Sequence, residues 1–588
     1  MKAFTSDRNR ARRIAAAAVF LVLAGILILS AFTLQPISDE AFYYTIPLRL
    51  LQGDRMLADE WHLSQFSSVF LLLPYRIYTA AAGGTEGVLL FMRLLYSAVM
   101  LTLFVFYCRT MRGHGVAAIF GAALFCADAF VGIPALNYYN LFAHFLTVFC
   151  LTLPLAGQRR SPAAMIAEGL LLACAVLCQP GFAAVWLIYG VFVLIRRIGN
   201  ERGKELFSNS AFPLDGKTWL RLSIGAVAAG AAFCAYLFFT VGIRGIFENL
   251  AGLFGDRAHG MTLLGNAGLM QKLSDFIGHY GALRIALSAF SLVAAALYSR
   301  FGSKKKNVRA ALFLLALTAL IAGTITKVDA NAFLYGAAPL LPFALSCYFL
   351  CEKRDVRLSS LLLCAVAGGL VTDYFSDVTI LYGARMACLP AACFAGELLR
   401  ELLREDGERS GAKQTARIKK RSPLFVGLCI LAAAALLCVS GRIALQAESG
   451  ALSLADGAEV LRQGPYRGLS VCEADAENYG HTLADLDRLT DGYDGPFYVG
   501  AMQPEDYLYL DLPIGTFTTY YINANASERQ ALYWQLHPEK RPGRIYIPYE
   551  DQEVSENDDI RLVFLRSLCS CEITRGVQGY LIFISEWY

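Results

Sequence analysis

The stretch RNRARRIAAAAVFLVLAGILILSAFTL, residues 8–34, decides how this chain is built. Four arginines precede an apolar run of about 20 residues, the length that crosses a bilayer core as a helix. A secretory signal peptide is the alternative, but the run is longer than a typical signal core and no clear small-x-small cleavage site follows it. We therefore predict an uncleaved first transmembrane helix whose basic N-terminal flank is cytoplasmic.

The composition of the chain extends this prediction to most of its length. Of the 588 residues 56% are hydrophobic and 17% are charged, and the mean hydropathy is +0.46. These values exclude an ordinary soluble protein. Lys and Arg recur in short loops between apolar runs, a pattern that sets orientation in a bilayer and does not indicate nucleic-acid binding.

We predict about 13 spans in the region 1–444, from the apolar runs alone. They lie near 14–34, 87–108, 115–135, 140–156, 162–178, 181–196, 219–241, 280–300, 309–326, 331–351, 358–374, 379–399 and 424–441. With the N-terminus inside, every inside loop is basic, as the positive-inside rule requires. These loops are Cys108–His114, Gly157–Ser161, Arg196–Arg221, Ser299–Arg309, Cys351–Arg357 and Arg400–Arg421.

This assignment of transmembrane helices requires that Leu63–Ala82 does not cross the membrane. The segment carries Pro74 and Arg76, which suit a lipid-facing span poorly. We therefore predict one large outside loop, 36–85, that holds two interfacial helices. An odd number of spans then places the acidic region 445–588 outside, where alternating strand-like and helical stretches indicate a soluble α/β domain.

The outside loop opens with Ser38-Asp39-Glu40. Ser38 is a good helix N-cap, and the two acids fall in the first turn, where the helix dipole stabilises negative charge. The sequence predicts a helix over Asp39–Gln52 that ends at Gly53-Asp54, with a break or kink at Pro47. A capped amphipathic surface helix would explain this pattern, and so would a carboxylate that acts as a general base at the membrane surface.

The first span, Asp-Glu-x-x-Tyr at 39–43, Gly53-Asp54 and a half-buried second helix together resemble the GT-C membrane glycosyltransferases, glycosyltransferase family 39 in particular. The branch that contains protein O-mannosyltransferases and lipid A aminoarabinose transferases is most similar. The resemblance implies a sugar donor on a polyprenyl phosphate, an extracytoplasmic acceptor (an envelope glycan, lipid or protein), and transfer with inversion in the EC 2.4 class. It also implies that Asp39 is the catalytic base, with Glu40 as a second catalytic candidate and Tyr43 as a substrate contact.

Further candidate substrate contacts lie in the other outside segments. The second interfacial element offers Glu60, His62 and Gln65, although a lone His near an interface is often structural. Asn137, Tyr138 and Tyr139 suit a sugar, although Tyr is also common at membrane interfaces. Arg385 and Lys327 are candidates to bind the lipid phosphate. The alternative is that these side chains simply snorkel, that is, extend their charged ends to the membrane interface. Arg257 and His259 lie in the long segment 242–280, which is either a lid or a connector.

Two questions stay open at this stage. A divalent cation at Asp39 and Glu40 is one option, but neighbouring helical residues point about 100° apart and rarely chelate together. The second question is whether the chain is an enzyme or a transporter of lipid-linked glycans. Transporters usually show internal repeats and broken helices near the midplane; the acids of this chain concentrate in its outer loops, which favours the enzyme.

Overall fold

The computed structural model describes most of the chain. The described residues are 2–33, 36, 38–128, 133–159, 161–201, 215–254, 274, 276–278, 280–302, 305–324, 338–375, 382–408, 458–520, 526–549 and 559–588. Of the predicted spans, 424–441 lies outside these ranges.

Helices dominate the described residues. The first ten α-helices are α1 Lys2–Thr33, α2 Ser38–Leu51, α3 Val69–Ala82, α4 Val88–Thr110, α5 Val116–Ala127, α6 Tyr138–Arg159, α7 Pro162–Cys178, α8 Ala183–Glu201, α9 Gly216–Thr240 and α10 Gly242–Phe254. The later α-helices are Ala282–Phe301, Lys306–Thr324, Leu340–Leu350, Val356–Phe375, Cys388–Glu408, Glu473–Thr490, Pro504–Leu510, Ala526–Leu536 and Ile560–Arg566. Short 3-10 turns occupy Leu63–Ser68, Arg112–His114, Pro180–Phe182, Tyr382–Ala387 and Pro538–Lys540.

The chain is a multi-pass membrane protein. Within the described ranges, seven helices are long and apolar enough to cross a bilayer, and four shorter helices are also apolar. The seven are Arg12–Thr33, Val88–Thr110, Tyr138–Gly157, Pro180–Gly199, Gly216–Thr240, Ala282–Phe301 and Lys306–Gly323. Helix α3 is in neither of these two sets, and the exclusion of Leu63–Ala82 from the membrane stays a prediction.

Two helical elements lie in the described part of the segment 36–85. Helix α2 runs without interruption through Pro47 and ends just before Gly53, whose φ of 97° favours a residue without a Cβ. The second element is the 3-10 turn Leu63–Ser68 followed directly by α3. The predicted break at Pro47 is wrong, because the helix continues to Leu51.

The C-terminal residues form mixed α/β structure. Strands β3 (Phe497–Val499), β4 (Arg544–Pro548), β5 (Cys569–Arg575) and β6 (Gly579–Trp587) make a sheet in the order β3-β4-β6-β5. Strand β3 pairs parallel with β4, and the other two pairs are antiparallel. Strands β1 (Ala458–Val460) and β2 (Ser470–Cys472) form a separate antiparallel pair.

Among the strand-like runs that the sequence predicts in 445–588, Tyr507–Leu510 and Leu562–Leu565 are helical instead. Tyr507–Leu510 belongs to the helix that begins at Pro504, where Pro occupies the first turn together with Glu505 and Asp506. Leu562–Leu565 lies in Ile560–Arg566, whose N-cap Asp559 accepts a hydrogen bond from the Arg561 backbone N–H at 2.9 Å. In both cases a local helix-start signal outweighs the apolar run.

Candidate active site

Helix α2 is an internal element of the fold. Every residue from Glu40 to Arg49 is buried. Its inner surface contacts helix Pro504–Leu510, helix α3 and the turn Leu63–Ser68. The surface-helix interpretation of the Ser38-Asp39-Glu40 motif is therefore wrong, and the two acids enter the protein interior at the N-terminal turn of α2.

Asp39 is half-buried at that first turn. Removal from water raises the pKa of its carboxyl group above the ordinary value, and a hydrogen bond with the Tyr520 hydroxyl opposes part of that shift. A carboxylate with a raised pKa is a stronger base than a solvated one. The Asp39 carboxylate therefore has surroundings in which it can act as a general base. Its hydrogen-bonding partner, Tyr520, lies far from it along the chain.

Tyr520 and Tyr43, which both interact with this carboxylate, belong to a group of aromatic rings from four chain segments. The ring of Tyr43 lies 5.9 Å from that of Tyr138, which lies 3.9 Å from Tyr139. On the other side, the ring of Tyr520 lies 5.0 Å from Phe42 and 5.4 Å from His62. The pKa of Tyr43 is raised well above the ordinary value, mainly by burial and next by the charge of Asp39, so its hydroxyl keeps its proton. We call these six residues the aromatic cluster: Phe42, Tyr43, His62, Tyr138, Tyr139 and Tyr520.

Glu40 has a structural partner. Its two carboxylate oxygens accept hydrogen bonds from Arg93 Nε at 2.8 Å and from Arg93 Nη2 at 2.6 Å. Arg93 and Glu40 are 0% and 1% exposed, and Arg93 also donates to the Ala31 carbonyl at 3.3 Å. A bidentate pair of this kind fixes α2 against α1 and α4. Because Arg93 occupies both carboxylate oxygens, Glu40 does not present a free base to a substrate.

Glu60 and Gln65, which the sequence predicts as substrate contacts, instead form hydrogen bonds within their own loop. The Glu60 carboxylate accepts from Arg49 Nη1 at 3.0 Å and from the His62 backbone N–H at 2.9 Å, and burial raises its pKa. Gln65 is fully buried; its oxygen accepts from the Leu57 N–H at 2.8 Å, and its amide nitrogen donates to the carbonyls of Glu60 and His62 at 2.9 Å each. These two side chains therefore shape the loop and do not face a substrate.

His62 is the exception in this element, because it is half-buried and its ring joins the aromatic cluster. Its Nδ1 accepts a hydrogen bond from the Ser64 backbone N–H at 3.2 Å and lies 2.6 Å from Ser64 Oγ. The ring thereby caps the turn Leu63–Ser68. His62 combines the predicted structural role with a position beside Tyr520.

The segment that begins α6 connects the aromatic cluster to Arg385. Asn137 accepts the Asn140 backbone N–H at 2.8 Å and so caps the start of the helix that carries Tyr138 and Tyr139. Arg385 Nη1 donates to Asn140 Oδ1 at 2.7 Å, and Arg385 Nε donates to Asp128 Oδ2 at 2.8 Å. Within the described part of the chain, Arg385 Nη2 is a buried donor without a hydrogen-bonding partner.

Three predicted site residues, Lys327, Arg257 and His259, lie outside the described residues. Three residues with evident contacts were not foreseen, namely Arg93, Asp128 and Tyr520. An intramembrane Arg facing an acid is a signal that could have found Arg93 and Asp128, since such charges need partners. Tyr520 carries no local signal, because it comes close to Asp39 only when the chain folds.

Asp39 and Glu40 do not fit a shared metal ion. Arg93 binds both oxygens of Glu40, and a cation there would lie against the Arg93 guanidinium. Only Asp39 of this pair has a carboxylate that opens toward the aromatic cluster. No catalytic step is therefore assigned to a metal at this position.

No family model matches the chain, and no curated protein matches it in sequence. Among solved structures, the chain is similar to the oligosaccharyltransferase AglB of the archaeon Archaeoglobus fulgidus in complex with an inhibitory peptide and a dolichol-phosphate, with 12% identity, a TM-score of 0.44, and coverage of 97% of this chain and 74% of that one. A second structure of the A. fulgidus oligosaccharyltransferase, tethered to an acceptor peptide that contains the NVT sequon, gives 12% identity, a TM-score of 0.44, and coverage of 96% and 74%.

Proposed function

We propose that this protein is a membrane glycosyltransferase of the GT-C type that moves a sugar from a polyprenyl-phosphate donor to an acceptor on the outer face of the membrane. The observation that carries the proposal is Asp39: a half-buried carboxylate with a raised pKa, directly after the first span, set among aromatic rings. Aromatic faces bind sugar rings well, since they pair apolar surface with a polar edge.

In the proposed reaction, Asp39 takes the proton of the acceptor hydroxyl as the hydroxyl oxygen attacks the anomeric carbon. The bond between that carbon and the phosphate oxygen breaks, and its electron pair leaves with the lipid phosphate. Attack from the side opposite the leaving group inverts the anomeric centre. Asp39 ends protonated and returns its proton to water.

The leaving phosphate carries negative charge and needs a donor group that stabilises it. We assign this role to Arg385, which Asn140 links to the segment that carries Tyr138 and Tyr139. Asp128 neutralises part of its charge and fixes its guanidinium, while Nη2 lacks a partner among the described residues. A planar guanidinium suits phosphate oxygens.

The sequence supports an orientation for this reaction. The basic inside loops place the N-terminus in the cytoplasm and the acidic region 445–588 outside. Asp39 follows the outer end of α1, so the acceptor would meet the donor on the outer face. Within this proposal the C-terminal residues contribute directly to the site, because Tyr520 holds the base.

The test is transfer of radiolabelled sugar from polyprenyl-phosphate donors, beginning with mannose and aminoarabinose, in membranes that contain the wild type or Asp39→Asn. The matched control is Asp494→Asn, which changes an exposed carboxylate in the same way. We expect Asp39→Asn to lose at least about 100-fold in transfer, the scale of a removed general base, while the control keeps wild-type transfer.

Equal transfer by the wild type and Asp39→Asn would remove Asp39 from the mechanism. If the wild type transfers none of the donors tested but moves lipid-linked glycan across vesicle membranes, the transporter interpretation replaces the enzyme.

A further inference from the structure

A second cluster of ligand-type side chains lies where the first outside loop meets the C-terminal residues. Asp59 and His537 are buried, Glu539 is exposed, and one ligand atom from each lies within 4.8 Å of the others. His537 Nδ1 is 3.6 Å from Asp59 Oδ1 and 3.6 Å from Glu539 Oε1. Nothing in the proposed transfer reaction uses these groups.

The hydrogen-bonding network around His537 fixes which ring nitrogen carries its proton. Trp61 Nε1 can only donate, and it lies 2.9 Å from Asn249 Oδ1, so the atom at this position must be the amide oxygen. The Asn249 amide nitrogen donates to the Gly245 carbonyl at 2.9 Å, which holds the amide in this orientation. His537 Nε2 lies 3.0 Å from the same oxygen and must therefore be a donor too.

In the neutral imidazole, Nδ1 then carries a lone pair. The Nδ1 atom lies 3.6 Å from a carboxylate oxygen of Asp59 and 3.6 Å from one of Glu539, so three acceptors lie close together in a place where only 7% of the His537 side chain is exposed. The Arg55 guanidinium offsets part of the charge on Asp59 Oδ1, but the Nδ1 lone pair of His537 and the Glu539 carboxylate still repel each other unless a metal ion or a proton lies between them. The distance of 3.6 Å exceeds the 2.7–3.2 Å of an N–H···O bond, and it is close to the roughly 3.4 Å that separates two ligands of a tetrahedral zinc ion.

Asp59 is already oriented for such a role. Its Oδ2 accepts the Arg55 backbone N–H at 2.6 Å and Arg55 Nε at 2.9 Å, while Oδ1, which lies 3.6 Å from His537 Nδ1, also accepts Arg55 Nη2 at 3.2 Å. Unlike the buried Arg93, the Arg55 side chain is 41% exposed, so its longer contact with Oδ1 can open when an ion binds. Outer partners of this kind usually fix the ligands of a metal site. Glu539 is 63% exposed and provides an entry path for an ion.

The charges around the cluster also favour a cation. With His537 neutral, four carboxylates face three basic side chains, which leaves one net negative charge. The carboxylates are Asp54, Asp59, Glu60 and Glu539, and the basic residues are Arg49, Arg55 and Lys540.

We propose that Asp59, His537 and Glu539 bind a divalent transition-metal ion of the zinc class, with water in the remaining position. One imidazole and two carboxylates suit zinc better than magnesium or calcium, which prefer oxygen alone. The ion would join the first outside loop to the C-terminal residues, because Asp59 belongs to the former and the other two ligands to the latter. This inference does not depend on the proposed transferase activity.

The test is zinc binding to the full-length protein, purified in detergent and stripped with a chelator, followed by calorimetry and metal analysis. We expect about one zinc ion for each chain in the wild type, and affinity at least about tenfold weaker in His537→Gln. Gln keeps an amide donor for Asn249, so the variant should fold. The matched control is His481→Gln, in helix Glu473–Thr490, which should bind like the wild type.

The 16 cysteines of the chain are the competing zinc ligands. X-ray absorption separates the two cases, because zinc–oxygen and zinc–nitrogen bonds are about 2.0–2.2 Å and zinc–sulfur bonds about 2.3 Å. We expect nitrogen and oxygen only. Three results would each overturn the proposal: sulfur bound to the zinc, no zinc bound to the wild type, or equal binding by folded His537→Gln. Absence of binding would mean that a proton on Nδ1 removes the repulsion among the three acceptors.

Discussion

Two neighbouring acids, Asp39 and Glu40, have different surroundings in this protein. Successive residues of an α-helix point about 100° apart, so one carboxylate reaches the aromatic cluster while the other faces α1 and α4. Glu40 meets Arg93 there and loses its freedom to act as a base. The sequence motif alone cannot separate the two roles, because it gives the residue types and not their partners.

Tyr520 provides a way to test the base through its pKa. The Tyr520 hydroxyl stabilises the charged form of Asp39, so Tyr520→Phe should raise the pKa of that carboxyl further. In the proposed reaction transfer requires the carboxylate, so the rate should increase as pH rises through this pKa. We expect the acid limb of the pH–rate profile to move upward by about 1 pH unit, which corresponds to a hydrogen bond of roughly 1–1.5 kcal/mol.

The measurement is kcat/KM for sugar transfer between about pH 4 and pH 8. Tyr509→Phe is the control, since it removes a hydroxyl that donates to Asp487 at 2.9 Å on the surface. An acid limb that does not move in Tyr520→Phe would show that the base is another group.

The pair of Glu40 and Arg93 predicts a stability effect. Arg93→Met leaves the Glu40 carboxylate buried without its partner, which costs about 3–5 kcal/mol in comparable buried pairs. Glu40→Gln with Arg93→Met removes both charges and should recover most of that loss. The measurement is thermal unfolding in detergent. A double variant as unstable as Arg93→Met would contradict the structural role of the pair.

At the scale of elements, local signals predicted some boundaries well and failed elsewhere for a physical reason. Helix α2 begins at Ser38 and ends just before Gly53, close to the predicted bounds, because helix-start residues and a glycine with positive φ act within a few residues. The runs at 507–510 and 562–565 are four apolar residues long, and periodicity cannot distinguish strand from helix at that length. Residues upstream, Pro504 and Asp559, carried the deciding signal.

The contact between α10 and the loop 52–62 depends on one glycine. A Cβ at Gly252 would overlap the indole ring of Trp61. Gly252→Ala must therefore push Trp61 away from Asn249, and overpacking of this kind costs about 1–3 kcal/mol. We expect a lower melting temperature and faster proteolysis of the loop 52–62.

Gly230→Ala in α9 is the matched control, because a Cβ there meets nothing within 4 Å and alanine favours a helix. Equal stability of the two alanine variants would show that Trp61 has room to move.

For the whole molecule, the sequence divided the chain at about residue 445 by composition, and that division stays a prediction. The described contacts join the two sides closely. The Trp61 backbone N–H donates to the Phe517 carbonyl at 2.8 Å, and Thr45 Oγ1 lies 2.5 Å from Thr519 Oγ1. The loop 36–85 thus packs on the C-terminal residues, and the aromatic cluster is completed by Tyr520. No sequence pattern predicts such contacts, because they join residues that are far apart in the chain.

Arg49 is the residue on which this junction depends most. Its guanidinium donates to Asp54 Oδ2 at 2.8 Å, to Glu60 Oε2 at 3.0 Å, to the Thr516 carbonyl at 2.8 Å and to the Asp59 carbonyl, all in a place where it is 1% exposed. An ammonium group cannot reproduce this planar fork. Arg49→Lys keeps the charge and should still lose about 2–5 kcal/mol of stability.

Hydrogen exchange on the intact protein shows where that loss occurs. Because one side chain holds both sides of the junction, exchange should accelerate together in α2, in the loop 52–62 and in residues 514–520, and transfer should fall as Tyr520 loses its position beside Asp39. Arg462→Lys, a surface substitution of the same kind, should leave all three segments unchanged. Acceleration confined to α2 would mean that the C-terminal residues hold their place without Arg49, and that the site does not depend on this junction.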